Sequence, residues 1–115
     1  MTLRNTPLDE ARMLINADRN KEYGEPYENF RDIAEMMTVL IRPILKDGAR
    51  VRVEHVAMMM MAVKLSRMTT SPTKLDTWVD ICGYVGTGYE AMEIQNGLEH
   101  SSSKKATTRS DKDDK

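Results

Sequence analysis

Cysteine is almost absent from this sequence: Cys82 is the only one, which excludes an internal disulfide and fits a reducing cytoplasm. Histidine is scarce as well. His55 and His100 are the only two, too few and too far apart along the chain to suggest a zinc site. No sign of charge dominates: 17 Lys and Arg stand against 18 Asp and Glu, a formal net charge of −1. Without a basic field, the composition gives no invitation to nucleic acid. No apolar run approaches the ~18 residues of a membrane span, and the N-terminus lacks the apolar core of a signal peptide. What remains is a chain of 115 residues, 40% hydrophobic and 30% charged, the profile of one soluble globular domain with one core. Ten methionines make that core soft and adaptable, although Met also serves interaction surfaces.

Helix signals recur along most of the chain. "TPLDE" opens a first helix, with Thr6 as N-cap, Pro7 at the first helical position and Asp9 and Glu10 in the first turn. Leu8, Ala11 and Ile15 form its apolar stripe, and it ends near Asn20 ahead of Gly24 and Pro26. Pro26 starts a second helix, where Phe30, Ile33, Ala34, Met37, Leu40, Ile41 and Ile44 follow a 3.6-residue period. Pro43 kinks or ends it, and Lys46-Asp47-Gly48 is a stop. "ARVRV" alternates polar and apolar residues but is too short for an independent strand; it connects to a third helix over Val53 to Met68. Within that helix the run Val56 to Val63 is apolar on every side, the pattern of a buried helix.

After the break "TTSPTK", a fourth helix begins around Asp76 and runs into the low nineties, with Trp78, Ile81, Val85 and Met92 on its inner face. Gly83, Gly86 and Gly88 cost ~1 kcal/mol each inside a helix relative to alanine. They mark either fraying or the close approach of another backbone, an oligomer partner included. From Gly97 onward only Leu98 and Ala106 are apolar, and five basic and four acidic residues are mixed. Such a segment cannot offset its chain entropy, so residues 97–115 read as a disordered tail and residues 1–96 as the single folded domain. The expected architecture is all-α, four helices in a bundle.

Four constellations could carry chemistry. Lys64 and Arg67 lie three residues apart on one helix face and either bind phosphate or mark where the third helix emerges into solvent with snorkelling stems. Asp76 and Asp80 share a face, with Tyr84 a further turn on; dipole compensation and an ion pair to a neighbouring helix are the simpler roles. Arg19, Tyr23, Tyr27 and Asn29 surround the turn "ADRNKEYGEPYENF". Glu28, Asp32 and Glu35 lie on the second helix beside or opposite its apolar stripe and read as its solvated face.

The segments "DRNKEYG", "NFRDIA", "VAMMMMAVKLSR" and "PTKLDTWVDICGY" resemble, in order and spacing, a widespread family of small bacteriophage proteins known only as a domain of unknown function. The resemblance covers roughly Asn16 to Tyr84. Members of that family are similar to MazG-type all-α nucleotide pyrophosphohydrolases and to phage sponge proteins that sequester cyclic dinucleotides in antiphage (CBASS) defence. One departure stands out: many relatives place Ser or Thr before the third helix, where this chain has Arg52, so the helix cap is lost or replaced.

The resemblance implies a MazG-like bundle in the cytoplasm of an infected bacterium, and the short chain, its ten methionines and the three glycines of the fourth helix predict a homo-oligomer, at least a dimer. MazG-type enzymes hold Mg²⁺ with E-x-x-E on one helix and E-x-x-D on the next, and that hard cation demands oxygen ligands. This chain offers K-x-x-R instead. Lys64 and Arg67 repel a cation and bind phosphate, Arg as a planar fork and Lys as a point charge. The expectation is therefore a nucleotide or cyclic dinucleotide ligand, no catalytic residue and no metal or cofactor. Arg19, Tyr23, Asn29, Lys64, Arg67, Asp76, Trp78, Asp80 and Tyr84 line the ligand site, one of the aromatics stacking on a base. The alternatives are a Mg²⁺-dependent pyrophosphohydrolase using Glu28, Asp32, Glu35, Asp76 or Asp80, and a structural helical oligomer with no ligand.

Overall fold

The computed structural model describes residues 2–17 and 25–107. Among them the fold is all-α: a 3₁₀ turn at Leu3–Asn5, then helices α1 (Thr6–Ile15), α2 (Pro26–Ile41), α3 (Val53–Met68) and α4 (Leu75–Thr107), with a second 3₁₀ turn at Arg42–Ile44. No helix of the described residues is long and apolar enough to cross a membrane.

Local chemistry sets most of these boundaries. Proline stands in the first turn of both α1 and α2, where its missing N–H costs nothing. Thr6 is the first helical residue and not the cap; the N-cap is Asn5, without a side-chain cap bond. α1 stops at Ile15, earlier than Asn20, and the Asn16 amide closes it by donating to the Arg12 carbonyl at 2.8 Å. Pro43 ends α2 as expected, converting its last turn to 3₁₀. Gly48 follows at φ 81°, a left-handed conformation that suits glycine. "ARVRV" is a connection, not a strand.

α4 and α3 form the most extensive pairing and run antiparallel, since Ala57 meets Gly88 and Lys64 meets Asp80. α2 packs against both, burying Phe30 and Ala34 with Val51, Val53, Val56, Ala57 and Ala91. α1 packs on another side of α4 through Ala11 and Ile15. The α4 glycines serve these contacts. An added β-carbon would lie 3.5 Å from Ile15 at Gly83, 3.2 Å from it at Gly86, and 2.5 Å from the Ala57 β-carbon at Gly88. The close neighbours are thus α1 and α3 of the same chain, and α4 does not fray there.

Three expectations need correction. The face of α4 turned to α3 and α2 is Thr77, Gly88, Ala91 and Gln95, and Val79 is buried on the opposite side of the helix, whereas Trp78 and Val85 are exposed; helical spacing alone does not tell which stripe of a helix faces the core. Leu8, Leu40 and Ile44, assigned to core stripes, are exposed, because α1 and α2 bury only a narrow strip. The run from Val56 to Val63 is buried on one side alone: Val56 and Ala57 are inside, while Met58, Met59 and Val63 face out.

Candidate functional site

Lys64 and Asp80 are brought together as the sequence suggested, the Lys64 amine 2.8 Å from an Asp80 carboxylate oxygen. The Lys64 side chain is mostly covered and that of Asp80 less so, which places the pair at the edge of the α3–α4 seam. Arg67 stands one turn beyond Lys64 on α3. It is exposed and makes no ion pair among the described residues. Asp76 is exposed in the first turn of α4, where a carboxylate favours the helix dipole.

The aromatic candidates do not share this location. Tyr84 is half-buried against Phe30, ring centroids 6.3 Å apart, and serves the core. Trp78 is exposed, with its indole N–H donating to the Pro72 carbonyl at 2.8 Å. It lies two residues from both Asp76 and Asp80, so its Cβ leaves the opposite side of the helix. Asn29 is exposed on α2. Arg19 and Tyr23 lie outside the described residues. Glu28, Asp32 and Glu35 are exposed, the solvated face expected of them, with Arg31 bonding Asp32 and lying over the Tyr27 ring.

A second polar cluster escaped sequence reasoning, and it sits at the start of α3. The Arg52 N–H donates to His55 Nδ1 at 3.0 Å, so a histidine at the third helical position takes the part usually played by Glu or Gln. A guanidinium has no acceptor with which to complete that box. Instead, Gln95 of α4 accepts the Val53 N–H at 3.2 Å. The Arg52 guanidinium bonds Glu54 and Glu99, both at 2.8 Å, and Asn96. Arg50 also pairs with Glu99. The missing Ser or Thr cap is thus replaced by a clamp from the distal part of α4.

Electrostatics follows from this geometry. Hydrogen bonds from Arg52 and Arg50 hold the Glu99 carboxyl down to about 2. Burial is the largest influence on Glu54 and opposes its ionisation, but the hydrogen bonds from Arg52 and the backbone, with the charges of Arg52 and His55, together outweigh it and keep that carboxyl below the usual range. Its Oε1 is buried without a partner among the described residues. The hydrogen bonds to Glu99 and Glu54 raise the Arg52 guanidinium in turn.

The clamp also corrects the boundary at Gly97. α4 continues to Thr107, and Glu99 is one of its anchoring residues. Glu54 two residues after Arg52 was visible in sequence, but nothing pointed to a partner on the far side of the chain.

The described residues contain no group of three or more His, Cys, Asp or Glu side chains arranged to hold a metal ion. What the Lys64–Asp80–Arg67 arrangement can do is present an oriented ammonium and an uncommitted guanidinium to an anion.

Comparison with known proteins agrees with the family resemblance. The chain is 35% identical over 79 residues to the Gene 55 protein of Mycobacterium phage D29, covering 69% of this chain and 48% of that protein. It is also 35% identical over 87 residues to the Gene 55 protein of Mycobacterium phage L5, covering 76% and 52%. It therefore spans about half the length of these phage relatives. No solved structure matches. Residues 6–92 match a family described as a domain of unknown function, DUF6378, and the chain belongs to that family.

Proposed function

We propose that this chain is a phage protein that binds a nucleotide and retains it without hydrolysis, the ligand being a cyclic dinucleotide immune signal held by an oligomeric, MazG-like protein of the anti-CBASS sponge type. One observation carries the reading: Lys64 is engaged by a single carboxylate, Asp80, while Arg67 one turn away has its planar fork exposed. Asp80 orients the ammonium without exhausting its three donors, and Lys64, Asp80 and Arg67 together keep one positive charge. Phosphodiester oxygens complement that combination. The Gene 55 relatives support phage origin, which gives an immune signal its biological setting.

The hydrolase alternative needs several carboxylates converging on Mg²⁺. Of its candidates, Asp80 is bonded to Lys64, and no three donors converge among the described residues. That donor set does not fit the ion.

A thermal-shift panel of cyclic dinucleotides and nucleoside triphosphates, each with and without Mg²⁺, tests the reading. A specific ligand at one hundred times its Kd stabilises by about 2.7 kcal/mol. Stabilisation by a cyclic dinucleotide without Mg²⁺ and without turnover is expected. Pyrophosphate release with Mg²⁺ would promote the enzyme, and no shift with any nucleotide would leave the structural oligomer.

A further inference from the structure

α4 carries a second apolar stripe that the described residues leave uncovered. Leu75, Trp78, Cys82, Val85, Tyr89 and Met92 follow one another at alternating spacings of three and four, the repeat of a coiled-coil seam. This stripe points away from the inner face of Thr77, Gly88, Ala91 and Gln95. Val85 is 55% exposed and Tyr89 64%; Cys82 and Met92 are half-buried.

The neighbouring helix widens the stripe. With Ala57 level with Gly88 and Lys64 level with Asp80, the antiparallel register sets Met58 beside Val85 and Tyr89, and Leu65 beside Trp78 and Cys82. Met58 and Leu65 are each more than half exposed. Helical phase puts them on the same side of the α3–α4 layer as the stripe. Six large apolar residues, each 38% to 64% exposed, make a patch on the order of several hundred Å², the scale of a monomer's largest patch and of what one partner buries in a standard interface. No charged side chain falls on the six seam positions, and the patch ends at the Arg52–Glu54–Asn96–Glu99 cluster.

We infer that this face is where two copies of the chain join, the α3–α4 layer of one stacking on that of its partner to complete a four-helix bundle about a two-fold axis. A two-fold interface must complement itself, and an uncharged seam at coiled-coil spacing on an antiparallel pair does so without unpaired charge. The inference rests on the oligomeric reading proposed above and assigns its surface. The α2 end, with Met36, Val39, Leu40 and Ile44 exposed, is the rival face. It spans little more than two turns and breaks into a 3₁₀ turn.

Light scattering on the full chain without ligand, at micromolar concentration, tests this, with circular dichroism as the check on folding. The unmutated protein should have about twice the 13.1 kDa of one chain. Val85→Glu and Tyr89→Lys should each halve that mass with helix content kept, since both side chains are exposed in the single chain. Leu40→Glu should leave the mass unchanged. A mass near 13.1 kDa for the unmutated protein would overturn the oligomeric reading itself. An oligomer that survives both α4 variants, or that dissociates only with Leu40→Glu, would overturn the assigned face while leaving oligomerisation in place.

Discussion

Gly88 and Ala57 mark the closest approach of α4 to α3: a β-carbon added at Gly88 would sit 2.5 Å from that of Ala57. Both residues are buried, and the helix backbones between them have no flexible side chain to give way. Gly88→Ala should therefore cost about 1–3 kcal/mol by overpacking, read as a lower urea midpoint. The double variant Ala57→Gly with Gly88→Ala should recover much of the loss, because the space is restored from the other side. Gly97 provides the control. A β-carbon there meets nothing within 4 Å, so Gly97→Ala should stabilise α4 by about 0.5–1 kcal/mol.

The contrast between these glycines shows what the sequence could and could not reveal. Helix α3 was legible to the residue, because Val53 and Met68 are bounded by a turn and by "TTSPTK", both strong local signals. Pro26 and Pro43 likewise fixed α2. The stripe of α4 was not legible, since Trp78 and Val85 are spaced as helically as Thr77 and Ala91, and periodicity cannot tell which of two stripes faces the core. Glu99 was missed for a different reason: its segment is polar, and only the distant Arg50 and Arg52 give it a partner. Of the site, the Lys64–Asp80 pair was visible as complementary charge on neighbouring helices. Trp78 stands two residues from both Asp76 and Asp80, which puts it across the helix from them, a separation that nearness along the sequence conceals.

Truncation reads out the Glu99 clamp. A chain ending at Asn96 loses Glu99 and with it the partner of Arg50 and one of the three partners of Arg52. Hydrogen bonds between charged groups contribute ~1.5–3 kcal/mol, discounted here because the Glu99 side chain is 42% exposed. A loss of about 1 kcal/mol is expected. A chain ending at Ser102 keeps Glu99 and should melt within a degree or two of the full chain. Equal melting temperatures for all three chains would show that the clamp contributes nothing.

The same carboxylate gives the fold a defined acid sensitivity. In the folded chain Glu99 titrates at about 2, against an ordinary value of 4.5. A depressed carboxyl stabilises fully above its unfolded value and loses that contribution as pH falls toward its folded one. The window is therefore from about 4.5 down to about 2. Glu54, held low by Arg52, adds in the same direction. Melting temperatures of Glu99→Gln should lie below those of the unmutated protein near neutrality and converge with them as the pH approaches 2. Parallel curves across that window would remove Glu99 as the titrating group.

Arg67 is the residue on which binding and structure separate. Its side chain is exposed and makes no ion pair among the described residues, so Arg67→Ala should change stability by no more than about 0.5 kcal/mol. Its loss should nevertheless weaken cyclic dinucleotide binding at least tenfold, since one charged hydrogen bond contributes ~1.5–3 kcal/mol and a decade of affinity is about 1.4 kcal/mol. Lys64 should behave otherwise. Lys64→Met strands the Asp80 carboxylate at a partly covered position, so it should lower both affinity and stability, the latter by about 1 kcal/mol. Replacing Asp80 by Asn in the Lys64→Met background should recover the stability and leave affinity low, because the stranded charge is gone but the ammonium is still missing. Titration calorimetry and urea denaturation on the four proteins measure the two quantities independently. Full affinity in Arg67→Ala would sink its phosphate role, and the Lys64–Asp80 pair would then be a fastening between α3 and α4 alone.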